Sequence, residues 1–193
     1  MIRAFVALPL PEPLADRLDD LAWDMGEGRP SDPETFHLTL AFLGEQRPEM
    51  LEDVAVELER LRAPSPPVTL RGLGVFGGGR PRSAHAEVVP DPALSGLRDA
   101  VRRACRRGGL DLPHARFTPH VTLVRFSARA PAGEGLARWL SRHAGFAAET
   151  FHPSETRLMR SDLGPEGPTH TELMAIPLDL LSQTTPDRSA QGG

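Results

Sequence analysis

Two stretches of this 193-residue chain carry the same local text, Phe36-His37-Leu38-Thr39-Leu40 and Pro119-His120-Val121-Thr122-Leu123. Side chains alternate along a strand, so His37 and Thr39 leave one face while Leu38 and Leu40 leave the other. The second copy does the same with His120 and Thr122 against Val121 and Leu123. Each copy thus reads as a strand anchored by aliphatic residues that offers an imidazole and a hydroxyl to the opposite side. One copy alone would be read as structural. A matched pair points to two halves about a pseudo-twofold axis, with both polar pairs facing one cleft.

The rest of the chain supplies elements for such halves. Residues 2–8 read as a short buried strand stopped by Pro9, and 12–25 as a helix with Leu14, Leu18 and Leu21 on one face, closed by Gly26. Residues 26–34 read as loop and 35–43 as a strand ended by Gly44. A helix over 48–62, strands at 67–76 and 82–89, and a helix capped by Asp91 and running to Arg107 come next. Strand 117–126, a short helix at 133–143 and strands at 149–160 and 169–178 complete an α+β order. The expectation is a single bilobed unit over residues 1–181, one motif per half, with an antiparallel sheet in each lobe. Residues 182–193, poor in apolar side chains, read as a disordered tail. Gly77-Gly78-Gly79 reads as a turn between strands, not as a strand-to-helix phosphate cradle.

Composition removes several chemistries. All 22 basic side chains are arginine, so lysyl-AMP ligation, Schiff-base catalysis and the P-loop lysine are excluded. Cys105 is the only cysteine, which rules out an intramolecular disulfide, and its place on the helix ending at Arg107 makes it a core residue. The N-terminal apolar run is short and broken by prolines, so neither a signal peptide nor a membrane span is expected and a cytoplasmic monomer is the default. The net charge is −4, yet residues 98–129 hold eight arginines against Asp99 and Asp111. Such a segment suits a polyanion held at one place, or a solvated helix face.

Displacement at phosphorus needs two histidines and nothing more exotic: one group deprotonates the attacking oxygen while another protonates the leaving oxygen on the far side. Thr39 and Thr122, with an arginine nearby, would hold the phosphate oxygens as charge develops. Arg125 stands five residues after His120 and Phe42 five residues after His37, where an aromatic ring could stack on a base. Both offsets are odd. A regular strand would send these side chains away from the cleft, so each assignment requires a bend near the strand end, beside Gly44 and Ser127. No metal site is expected, because His37 and His120 have no further ligand at motif spacing. The other five histidines, His85, His114, His143, His152 and His170, read as surface or core residues.

His-Leu-Thr-Leu-Ala-Phe-Leu-Gly-Glu at 37–45 and Pro-His-Val-Thr-Leu-Val-Arg at 119–125 resemble the signature motifs of the RNA 2′,3′-cyclic phosphodiesterases, also called 2′-5′ RNA ligases, of the two-histidine phosphoesterase superfamily. The first strand, the Arg80-Pro81-Arg82 turn and the segment 158–173 extend the resemblance over roughly residues 1–180. It implies a bilobed fold and a reaction without metal or other cofactor that opens a terminal 2′,3′-cyclic phosphate to a 2′-phosphate. It further implies that His37 is the proton donor and His120 the proton acceptor, with Thr39, Thr122 and Arg125 on the phosphate and Phe42 on the terminal base. The partners it implies are RNA ends or small cyclic nucleotides, with reversible 2′-5′ joining as a side activity. His170 departs from the family, which often has an aromatic such as Tyr there. Two alternatives stay open: a phosphodiesterase for another substrate, such as ADP-ribose 1″,2″-cyclic phosphate or 2′-5′ oligoadenylate, and a non-catalytic RNA-binding module.

Overall fold

The computed structural model describes residues 1–180, apart from 115 and 166; the tail expected over 182–193 lies outside the described residues. Strand β1 (Ile2–Pro9) leads into α1 (Glu12–Asp24), then β2 (Arg29–Pro30), a 3-10 turn at Pro33–Thr35 and β3 (His37–Gln46). Helix α2 (Pro48–Glu59), strands β4 (Leu70–Phe76) and β5 (Ser83–Val88), α3 (Pro92–Arg107) and β6 (His120–Arg125) follow. Helix α4 (Glu134–Arg142) and the hairpin of β7 (Glu155–Gly164) and β8 (Gly167–Pro177) complete the order. Among the described residues no helix is long and apolar enough to cross a membrane.

Helix placement follows from local chemistry. The Asp91 carboxylate accepts the backbone N–H groups of Ala93 and Leu94 at 2.7 and 3.2 Å, filling donors that the first turn of α3 leaves open. That helix buries Leu94, Leu97, Val101 and Cys105, at about 1.5–3 kcal/mol for each large aliphatic side chain. Cys105 is a core residue, its thiol pushed up to about 11 by burial. Helix α1 buries Leu14, Leu18 and Leu21.

The strands form two antiparallel four-stranded sheets, ordered β3-β1-β7-β8 and β2-β6-β5-β4. Each contains an antiparallel pair joined by a helix, β1–α1–β3 in one and β5–α3–β6 in the other. The packing is reciprocal: α1 lies against β6 and α3 against β3. Each motif strand is therefore backed by the other half's helix, and β3 and β6 adjoin.

Both motif strands carry a β-bulge at the same place. Thr39 is opposite Ala7 and Ala41 opposite Val6, so Leu40 is the extra residue; Thr122 is opposite His85 and Val124 opposite Ala84, so Leu123 is extra. The two strands share one sequence of exposures over their first six residues, with two consecutive buried positions, 40–41 and 123–124. A bulge sets two residues against one and reverses the alternation beyond it.

Several boundaries differ from the sequence reading. Residues 29–30, read as loop, pair with Arg125 and Val124; two residues are too few to carry a periodicity. Strand β3 passes through Gly44, which adopts φ 72° at a second irregularity opposite Ala4 and Phe5, so the glycine lets the strand continue instead of ending it. The strand expected at 149–160 lies at 155–164, with Phe151 making only an isolated bridge to Val68, because pairing with β8 extends the hairpin to its turn.

Candidate active site

His37 and His120 are held alike. The Nδ1–H of His37 donates to the carbonyl of Thr35 at 2.6 Å, and that of His120 to the carbonyl of Thr118 at 2.7 Å. A carbonyl only accepts, so Nδ1 is the protonated nitrogen in both neutral rings, leaving Nε2 as the atom that exchanges a proton. Each ring also sits in a matched trio. His37 stacks on Phe5 at 4.6 Å and meets His170 edge-on at 5.2 Å; His120 meets Phe76 edge-on at 4.8 Å and His85 at 5.2 Å.

These surroundings disfavour protonation. Burial, opposed by the Thr35 carbonyl and reinforced by His170, Arg125 and His120, pushes His37 down to about 4. His120 is also lowered, first by burial and then by Arg125. His85, only 3% exposed, is pushed down to about 4 by burial and by His120, and its Nδ1 has no hydrogen-bond partner among the described residues. Both surroundings, those of His37 and of His120, favour the neutral imidazole.

The odd offsets resolve through the bulges. Phe42 stands opposite Phe5, and Arg125 opposite Ser83, which returns both to the face of the motif histidines. Phe42 is 63% exposed, so it is not a core residue. Together with Arg3, His37, Arg125 and His170 it lines a cleft of about 320 Å³, walled on the far side by Leu163 and Pro168 of the β7–β8 hairpin. Thr39 and Thr122 are half-buried on the histidine side of their strands, and among the described residues no protein group takes either hydroxyl. Arg125 has no carboxylate partner among the described residues, and Arg3 is its charged neighbour. No group of three or more His, Cys, Asp or Glu among the described residues could hold a metal ion.

The profile of the 2′-5′ RNA ligase superfamily matches residues 10–165. The chain belongs to this superfamily. A protein from Thermus thermophilus named RNA 2′,3′-cyclic phosphodiesterase is 36% identical over 188 residues, covering 89% of this chain and 88% of its own. A Geobacillus stearothermophilus protein of the same name is 30% identical over 182 residues, where the chain covers 90% of itself but spans only 56% of that relative's length. Among solved structures, a Thermus thermophilus protein superposes with TM-score 0.73 at 27% identity, covering 91% of this chain and 97% of the other. Escherichia coli LigT in apo form shares the fold with TM-score 0.69 at 24% identity, covering 92% and 98%.

In this superfamily member the structure brings together more than the motif residues. The sequence reading missed the ring partners Phe5, Phe76, His85 and His170. His85 was read as surface or core, and it is core, but it also faces Thr122 across the ladder. His170 reaches the cleft only because β8 pairs with β7, and Arg29 of the other sheet donates to the carbonyl of Pro165 at 2.9 Å to hold that hairpin's turn. One signal was available: both copies extend backward to Thr-x-His-x-Thr, and that first threonine supplies the carbonyl that orients the ring.

Proposed function

We propose that this chain hydrolyses RNA 2′,3′-cyclic phosphate termini to 2′-phosphates by paired-histidine acid/base catalysis, without a metal or other cofactor. The observation that carries the reading is the duplicated bulged strand: it sets one carbonyl-oriented imidazole from each half within electrostatic reach of the other and of Arg125, with His37 and Arg125 lining one cleft. The relatives named above, described as RNA 2′,3′-cyclic phosphodiesterases, support the choice of substrate.

His120 Nε2 takes the proton of a water whose oxygen attacks phosphorus. The P–O3′ bond breaks, His37 Nε2–H gives its proton to the departing 3′ oxygen, and the 2′-phosphate remains. The Thr39 and Thr122 hydroxyls and the Arg125 guanidinium donate to the non-bridging oxygens, where negative charge grows. Phe42 stacks on the terminal base. Because its surroundings disfavour protonation, His37 gains its proton with the substrate, whose negative charge favours the imidazolium. The assignment of donor to His37 and acceptor to His120 follows the family pattern. A 5′-hydroxyl that attacks the cyclic phosphate in place of water gives 2′-5′ joining with no activated enzyme.

Both imidazoles come from one chain, which suits a monomer, and the lone buried thiol suits the cytoplasm. The test is incubation of a cyclic-phosphate oligoribonucleotide with the protein in excess EDTA. A 2′-phosphate product that His37→Ala and His120→Ala each reduce by about 10²–10⁴ is expected. A 3′-phosphate product, or none, rejects the reading.

A further inference from the structure

A second, larger concavity of about 730 Å³ lies off the ends of β5 and β6, walled by Arg80, Arg82, Phe126 and Ser127. It adjoins the cleft through the chain itself. Phe126 follows Arg125, and Arg82 precedes Ser83, the residue opposite Arg125. The N–H of Arg82 donates to the carbonyl of Phe76 at 2.7 Å, and the N–H of Phe126 to the carbonyl of Arg82 at 2.8 Å. The Phe76 ring rests on His120. The same short segment thus supports a catalytic ring on one side and the groove on the other.

Resting on the cyclic phosphodiesterase reading, we propose that this groove binds the phosphodiester backbone of the nucleotides upstream of the reacting terminus, through Arg80 and Arg82. Both arginines are exposed, and among the described residues neither has an ion pair or hydrogen bond that would occupy its guanidinium. Gly77, at φ 113°, makes the turn that displays them, and a side chain there would strike the carbonyl of Arg80. A small pocket that shares His37 and His170 with the cleft is lined instead by Glu34 and by an Arg157 already bound to Glu155 and Glu172. Of these two neighbouring concavities, the groove is the one whose arginines have no carboxylate partner among the described residues, so it suits a polyanion better. From His120 to Arg125 the strand rises about 15 Å, so a phosphate at the groove belongs to an upstream nucleotide, not to the terminal one.

The experiment compares kcat/KM for a cyclic-phosphate oligoribonucleotide and for a nucleoside 2′,3′-cyclic phosphate, across a salt series. The proteins are wild type, Arg80→Ala/Arg82→Ala and Arg80→Lys/Arg82→Lys. Wild type is expected to prefer the oligonucleotide by about tenfold or more, since a charge-assisted hydrogen bond is worth that much. The alanine variant loses the preference while its nucleoside activity stays unchanged, and the lysine variant keeps most of it. The log–log salt slope for the oligonucleotide falls by about 1.4 in the alanine variant, about 0.7 for each single-strand phosphate that is no longer neutralised. Equilibrium binding of a labelled oligoribonucleotide reads the same groove independently of turnover. Unchanged preference, salt slope and binding in the alanine variant overturn the inference, whereas absence of turnover on both substrates with intact groove binding rejects only the catalytic reading.

Discussion

Phe42 stands opposite Phe5 across the β1–β3 ladder, although Thr39, three residues earlier, stands opposite Ala7, two residues away on β1. One extra residue in β3 makes the counts differ, and it turns an aromatic ring from the core side to the cleft. Arg125 gains its position in the same way, three residues after Thr122 but two positions along β5. The two bulges give each half a third side chain on the histidine face, a cation from one and an aromatic ring from the other.

If Arg125 meets the phosphate, replacing it removes stabilisation of developing charge. Arg125→Ala is expected to lower kcat/KM by about 10²–10³, with Arg125→Lys recovering part of it. An exposed guanidinium with no carboxylate partner among the described residues supports little of the fold, so the melting midpoint should stay near wild type. Steady-state kinetics alongside a thermal melt checks both halves.

Phe42→Ala tests the base platform. Stacking on an aromatic side chain contributes about 1–3 kcal/mol per base, so KM should rise about five- to hundredfold while Phe42→Trp stays close to wild type. Equal loss on a substrate lacking the terminal base would contradict the stacking role.

The titration of the free enzyme should be displaced toward acid. His37 and His120 are both held below the ordinary histidine value, so both limbs of the kcat/KM profile should lie below about pH 6.5. Bound anion favours the imidazolium forms, so the kcat profile should lie at higher pH. In His170→Gln one positive neighbour of His37 is gone, protonation of His37 becomes easier, and the lower apparent value rises. A profile flat from about pH 5 to 8 contradicts paired catalysis.

Stability should also fall on acidification. His37 and His85 are each lowered to about 4 in the fold, so between the ordinary value and that point the unfolded chain binds more protons than the folded one. Their contribution is complete above about pH 6.5 and is lost as pH falls toward 4, by up to about 3 kcal/mol each. His85→Phe should flatten this dependence in urea melts recorded at several pH values.

Much of the architecture was legible because its signals are local. The Leu14, Leu18 and Leu21 stripe, the Asp91 cap and the alternating motif strands report their own surroundings. The small strand at Arg29–Pro30 and the shifted β7 were not, since the first exists through pairing with Val124 and Arg125 and the second through pairing with β8, beyond any periodicity the segment itself carries. By itself the sequence determined that two His-x-Thr strands would present imidazoles and hydroxyls opposite aliphatic anchors, and that every strong cation available to a phosphate is an arginine. Tertiary structure decided the rest. Bulge placement depends on cross-strand register, which brought Phe42 and Arg125 to the cleft, and hairpin pairing carried His170 to the edge of His37.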